Sequence, residues 1–189
     1  MWPRPIIGVM VDQDAYRETL GHFATGVTVI TAVDDGTPVG FSCQAFAALS
    51  LDPPLVLFCP SVASMTWPAI ERAGRFCVNI LAHDQADVST IFGTAGVDKF
   101  AAVEWTGAPS GAPLLDGVLA WVDCSVETVY PGGDHYVVIG RVTDLGQGKV
   151  PGKEPLLFYR GAYTATEAAE PAPGVLDNLI TWTRHEDWL

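Results

Sequence analysis

The sequence predicts a mainly β fold, a barrel of strands carrying a few short helices. Three observations lead there. Short segments rich in β-branched and aromatic residues recur along the chain, as in Val27–Val33, Leu55–Cys59 and Arg75–Leu81. Turn residues separate them, including Asp34-Asp35-Gly36, Asp52-Pro53-Pro54 and Pro131-Gly132-Gly133-Asp134. The stretches with helical period are few and brief, which suits additions to a sheet better than a layer of their own.

Taken in order, residues 1–11 read as an N-terminal arm. Asp12 or Asp14 is placed to cap a helix with Tyr16, Leu20, Phe23 and Ala24 on one face, stopped at Thr25-Gly26. Val27–Val33 is a strand, and the Asp-Asp-Gly turn leads into a second over residues 38–46. Pro53 and Pro54 cannot donate to a ladder, so that strand ends before them. The apolar run Leu55–Cys59 then has the character of a strand buried on both faces. A short helix is expected between Ser61 and Ala73, capped by Ser64 or Thr66 ahead of Trp67 and Pro68. Arg75–Leu81 is the next strand, with Asn79 as a structural polar group, and Asp84–Phe92 is helical up to Gly93. After a loop rich in Gly and Pro come a long strand from Gly117, its return from His135 to Val142, and Pro155–Tyr159. Residues 164–174 read as a linker and Val175–Trp188 as a last helix. One domain over 12–165, followed by a tail over 166–189, is the resulting organisation.

With 189 residues the chain is long enough to bury a substantial core. Hydrophobic residues make up 49% and charged residues 17%, which is lean in charge and predicts an apolar surface shared with other copies. A net charge of -12 offers no basic footprint for nucleic acid and none for an anionic membrane. Small anionic ligands stay possible, since backbone amides and one or two Arg suffice locally. The four Cys, at 43, 59, 77 and 124, have neither zinc spacing nor a disulfide framework, and they suit the reduced cytoplasm. The N-terminal apolar piece, broken by Pro3 and Pro5, fits neither a signal peptide nor a membrane span.

Several chemistries fail on spacing. Gly146-Gln147-Gly148-Lys149-Val150-Pro151-Gly152 has Pro where a dinucleotide fingerprint needs its third Gly, and it also misses the phosphate-loop pattern. No Gly-x-Ser-x-Gly elbow occurs, and no His or Cys pair has metal-ligand spacing. What remains is the stretch from Val39 to Pro60, where two neighbouring strand ends carry small polar groups able to hold a flat polar ligand.

Its motifs resemble those of the flavin-reductase-like family, the NAD(P)H:flavin oxidoreductases of two-component monooxygenases. The segments concerned are Gly40-Phe41-Ser42-Cys43-Gln44-Ala45-Phe46, Ser50-Leu51-Asp52-Pro53-Pro54 and Leu55–Cys59. Gly26–Thr31, Phe76–Leu81, Asp98-Lys99-Phe100 and Gly133-Asp134-His135 extend the likeness over most of the chain. The resemblance implies an FMN-binding split barrel of Greek-key type, forming a homodimer. It also implies an enzyme using FMN or FAD with NADH, in preference to NADPH, and supplying a separate flavin-dependent oxygenase. The phrases around Cys43, Cys59, Cys77 and His135 are similar to a subgroup that serves steroid or aromatic-compound degradation.

On this resemblance the flavin is expected to meet Pro38, Val39, Gly40, Phe41, Ser42, Gln44 and Ala45, then Cys59, Pro60 and Ser61. Ser64, Met65, Thr66 and Phe92 complete its site. Met65 stands where family members often carry a basic residue, leaving hydroxyls and amides for the phosphate. The nicotinamide nucleotide is expected at His135 and at Phe158, Tyr159, Arg160 and Gly161. His135 would orient the nicotinamide through its carboxamide without exchanging a proton. A flavin carrier or sensor without enzymatic activity is the alternative on the same fold.

Overall fold

The computed structural model describes residues 11–166. Asp12 accepts the N–H groups of Asp14 and Ala15 through its carboxylate and so starts α1 (Gln13–Leu20). A two-residue strand, β1 (Thr25–Gly26), follows, then β2 (Thr28–Asp34) and β3 (Thr37–Cys43). Asp35 and Gly36 join these two with φ of 48° and 77°, the left-handed pair that a tight hairpin matched to strand twist requires. β4 (Phe46–Leu51) and β5 (Pro54–Phe58) make a second hairpin. The rest comprises α2 (Trp67–Ala73), β6 (Arg75–Ile80), α3 (Ala86–Gly93), β7 (Trp105–Gly107), β8 (Pro113–Leu115), β9 (Ala120–Gly132), β10 (His135–Gln147), β11 (Leu156–Tyr159) and β12 (Ala162–Ala165).

Seven strands form one sheet in the order β3-β2-β6-β9-β10-β5-β4. Its two edges, β3 and β4, are consecutive in the chain, with only Gln44 and Ala45 between them. Three Cα steps span at most about 11 Å, so both edges must meet at that point. The sheet is therefore rolled, and Phe41 on β3 lies 6.2 Å from Phe58 on β5, ring centre to ring centre. β3 and β4 share no ladder, so the roll is not closed by hydrogen bonds, in contrast to the barrel expected from the strand pattern. β1, β11 and β12 form a smaller sheet, and β7 pairs with β8.

Inside the roll, Phe58 packs edge-on against Phe76 at 5.0 Å and Trp67 at 5.7 Å, surrounded by Ile30, Ile70, Val78 and Val138. Each such side chain contributes roughly 2 kcal/mol by leaving water. A second cluster, with Val29, Leu81, Phe92 and Leu156, lies on the outer face under α3. Asn79 ties the layers together. Its amide donates to Val29 O, Thr31 Oγ1 and Pro113 O, and its Oδ1 accepts from Leu115 N at 2.8 Å. The structural role expected for Asn79 is the one observed.

Some boundaries differ from the sequence reading. The strand expected over 38–46 breaks at Gln44-Ala45, where the chain crosses between edges, and β4 was not foreseen. β7 and β8 stand in what reads as a loop. β12 reaches Ala165, so the linker expected from residue 164 begins as strand. No residue of α1 is buried. The arm over 1–10 and the C-terminal helix lie outside the described residues.

Candidate functional site

The roll leaves β3 with a free edge, and the site begins there. The Gly40 carbonyl accepts from Lys99 Nζ at 3.0 Å, so it points away from β2. Antiparallel alternation sends the amides of Gly40 and Ser42 the same way. A polar edge group of a ligand thus finds two donors in line. On the face beyond, Gly40 receives the Phe92 ring, and Ser42 Oγ lies 2.8 Å from Ser89 Oγ on α3.

The second wall grows from the end of β5. Cys59 N–H donates to Ala45 O, and Pro60 O accepts from Tyr136 N–H at 2.9 Å. Val62 N–H donates to Asp134 O, and Ser61 bridges to His135. These bonds bring the Gly133-Asp134 turn against the strand end. His135 Nδ1 lies 2.8 Å from Asp134 Oδ1, which leaves Nε2 unengaged on a half-exposed ring. The same contact holds the Asp134 carboxyl below its ordinary range. The Ser61 hydroxyl accepts from Ala63 N–H. The Ser64 hydroxyl accepts from Thr66 N–H and Trp67 N–H, so Ser64 supplies the side-chain cap of α2 and Thr66 does not. Both serines keep their hydroxyl protons free to donate. Met65 projects outward, 91% exposed.

These walls, the end of α3 and the loop from Gly93 to Phe100 enclose a cavity of about 1220 Å³. Every residue expected at the flavin lines it, as do His135 and Phe158. Tyr159, Arg160 and Gly161 do not; Tyr159 ends β11, and Arg160 and Gly161 turn the chain into β12. Arg160 and Gly161 adopt φ of 50° and 79° there, and Arg160 N–H donates to Gly21 O at 3.0 Å. Sequence reasoning missed three lining residues with polar roles: Ser89, Lys99 and Tyr163. Tyr163 donates its phenol to Ser89 Oγ at 3.0 Å and sets its ring 5.5 Å from Phe158. Ser89 precedes Phe92 by three positions, so the helical period places both on one face and would have found it.

Two thiols, Cys43 and Cys59, line the cavity. Burial pushes the Cys43 thiol up to about 11, and it also raises Cys59, which is only partly buried. Among the described residues no cluster of three or more His, Cys, Asp or Glu is placed to hold a metal ion. No described helix is long and apolar enough to cross a membrane.

Residues 20–167 match the family described as the flavin reductase like domain. The chain belongs to that family. It is 50% identical over 183 residues to the reductase subunit HsaB of a flavin-dependent monooxygenase from Rhodococcus jostii, covering 95% of this chain and 93% of that one. The crystal structure of nitrilotriacetate monooxygenase component B from Mycobacterium thermoresistibile superposes with a TM-score of 0.82 at 54% identity, over 85% of this chain and 90% of that one. The NADH:FAD oxidoreductase SgcE6 from Streptomyces globisporus, solved with NAD and FAD fragments, gives a TM-score of 0.76 at 32% identity, over 89% and 99%. This family is one of flavin reductases, and among these relatives HsaB is the reductase subunit of a flavin-dependent monooxygenase.

Proposed function

We propose that this chain is an NADH-dependent flavin reductase that reduces FMN or FAD and supplies the product to a separate oxygenase. One observation carries the reading. A single cavity of about 1220 Å³ gathers the β3 edge, the β5 strand end, His135 and Phe158, with room for two stacked ring systems. When bound, flavin supplies a ring that accepts a hydride. The protein's share is to hold two flat partners in register, which needs donors and walls but no strong acid or base.

In this reading the Gly40 and Ser42 amides meet the polar edge of the flavin, with Pro38, Val39, Phe41, Gln44 and Ala45 continuing that wall. Cys59, Pro60 and Ser61 form the facing strand end. Ser61, Ser64 and Thr66 hold the phosphate beside Met65, and Phe92 backs the ring pocket. His135 presents Nε2 to the nicotinamide carboxamide, its ring steadied by Asp134. Phe158 lies along the nicotinamide, and Tyr159, Arg160 and Gly161 receive the part of the nucleotide that leaves the cavity. NADH is preferred to NADPH.

The same proposal assigns the rolled sheet to the FMN-binding split barrel, within a domain over 12–165. α1 carries Tyr16 and Leu20 exposed beside Phe23, and no residue of it is buried. Covering that face in a homodimer would remove apolar surface from water. In this reading the reduced flavin serves steroid or aromatic-compound degradation, in the cytoplasm.

The test is NADH oxidation with flavin omitted and then with FMN or FAD in excess. Turnover that saturates in added flavin, and falls at least about tenfold in kcat/KM for NADH in His135→Ala, is the expected result. Folded protein that binds flavin but leaves NADH untouched would make it a carrier.

A further inference from the structure

The Gly146-Gln147-Gly148-Lys149 segment fits neither a dinucleotide fingerprint nor a phosphate loop, yet the fold gives it a specific place. Gly146 on β10 pairs with Trp121 on β9. A Cβ at Gly146 would stand 2.8 Å from three atoms of the indole, so the ring covers the strand where only glycine leaves room. Gly148 N–H donates to Leu119 O at 2.7 Å, and a Cβ there would collide with Val118 O. The two glycines thus let the end of β10 close down on the start of β9, beside Trp121.

The short hairpin of β7 and β8 faces this strand end. Trp105 pairs with Leu115, and Asp116 N–H donates to Glu104 O at 2.9 Å, so the two acidic residues occupy neighbouring positions on the hairpin. Gln85 Nε2 donates to Asp116 O at 2.9 Å and anchors it. Together these segments enclose a second cavity of about 290 Å³, floored by the buried Leu115 and walled by Glu104, Trp105, Asp116, Trp121 and Lys149. It shares no lining residue with the first. Trp105 is 38% exposed, an indole left to water. Its ring stands edge-on to Phe100 at 6.0 Å, and Phe100 to Phe92 at 5.2 Å, so a row of aromatic rings joins the two cavities.

Two carboxylates stand against one ammonium in this wall, and none of the three takes part in the ion pairs among the described residues. The field of a chain with net charge -12 adds to that excess. A cation is therefore favoured over an anion, and an indole face is the aromatic surface that attracts a cation most strongly. A bare metal ion is poorly served, because among the described residues no cluster of three or more His, Cys, Asp or Glu exists to hold it. The volume is about twice the roughly 150 Å³ that holds one benzene ring, which is too small for a flavin or a dinucleotide. We propose that this second cavity binds a small organic cation, about one ring in size and bearing an ammonium group. Trp105 and Trp121 supply the faces for it, and Glu104 and Asp116 the counter-charge.

The experiment titrates the whole chain with three probes of similar size, followed by tryptophan fluorescence and calorimetry. The probes are benzyltrimethylammonium, benzyl alcohol and benzoate. The cation is expected to bind at least about tenfold more tightly than the alcohol, and benzoate more weakly than either. Glu104→Gln combined with Asp116→Asn should bring the cation to the level of the alcohol, with the alcohol changed less than about threefold. Trp105→Ala should weaken both cation and alcohol, and circular dichroism checks that each variant folds. Lys149→Ala should tighten the cation about twofold, a gain that a damaged fold cannot produce. No binding of the cation up to about 10 mM, or equal affinity for the three probes, would overturn the proposal. So would cation binding that is unchanged in both the Trp105 variant and the double variant, or that excess FMN abolishes by direct competition, since the probe would then lie elsewhere.

Discussion

A Cβ added to Gly40 would stand 2.8 Å from Cε1 of Phe92 and 2.9 Å from the carbonyl of Ile30. The first neighbour is a ring end with no exposure to water, the second is backbone, and neither has space to withdraw. Glycine is therefore required at Gly40 for close packing, although it lies within a strand, where glycine normally weakens the element. Gly40→Ala is expected to cost about 1–3 kcal/mol in thermal or denaturant unfolding and to weaken flavin binding. Adding Phe92→Leu should recover part of the binding lost in Gly40→Ala, measured as a double-mutant cycle by flavin fluorescence titration.

How much of this was legible in the sequence depends on which force set each element. β2, β6 and β10 announce themselves because their own side chains carry the pattern. The Asp35-Gly36 hairpin was legible for the same reason, since few residues other than glycine accept its geometry. β4 was not legible. Its Ala47-Ala48 run has no alternation, and it is a strand because β5 offers a ladder and Gln44-Ala45 carries the chain to that edge. The cavity's main-chain walls were readable as motifs. Asp98-Lys99-Phe100 was readable as a motif, but the contacts of Lys99 and Tyr163 were not legible, because they depend on carbonyls and hydroxyls brought from distant parts of the chain.

Asn79 gives a prediction about stability alone. It makes four hydrogen bonds to β2, to Pro113 and to Leu115, and its side chain has no contact with water. Asn79→Ala takes a partner from groups on two elements, β2 and β8, and leaves the buried Leu115 N–H without its acceptor, each group left unpaired costing about 1–3 kcal/mol. A loss of at least about 3 kcal/mol in denaturant unfolding is expected. Asn79→Asp should fare no better at neutral pH, since a carboxylate cannot donate to the three acceptors.

The thiols predict an order of reactivity. Burial pushes Cys43 up to about 11 and Cys124 up to about 12, and Cys77 also rises, so little thiolate exists at neutral pH. Cys59 is the least buried of the four and faces the cavity. Mass-spectrometric mapping after brief alkylation should find Cys59 modified first, and added flavin should slow it.

Cys43 also predicts a loss of stability in alkali. A thiol near 9.0 when unfolded and about 11 when folded binds its proton more tightly in the native state. Its stabilising contribution is complete below about pH 9, falls as the unfolded chain deprotonates, and is gone by about pH 11. Cys43→Ala should flatten that part of the stability profile in denaturant titrations across this range.

Ser89 joins two segments assigned to different ligands. Its Oγ meets Ser42 at 2.8 Å on the β3 edge and accepts the Tyr163 phenol at 3.0 Å beside Phe158. Ser89→Ala removes the common partner of both hydroxyls in a buried position, at a cost of about 1–2 kcal/mol in unfolding. Tyr163→Phe leaves the Ser42–Ser89 pair intact and keeps the ring against Phe158. The two variants should therefore separate. Ser89→Ala is expected to raise the flavin dissociation constant and the KM for NADH together, whereas Tyr163→Phe should alter chiefly the NADH side. If Tyr163→Phe disturbed flavin binding as much as Ser89→Ala did, the hydroxyl chain would be acting as one unit rather than as a joint between two subsites.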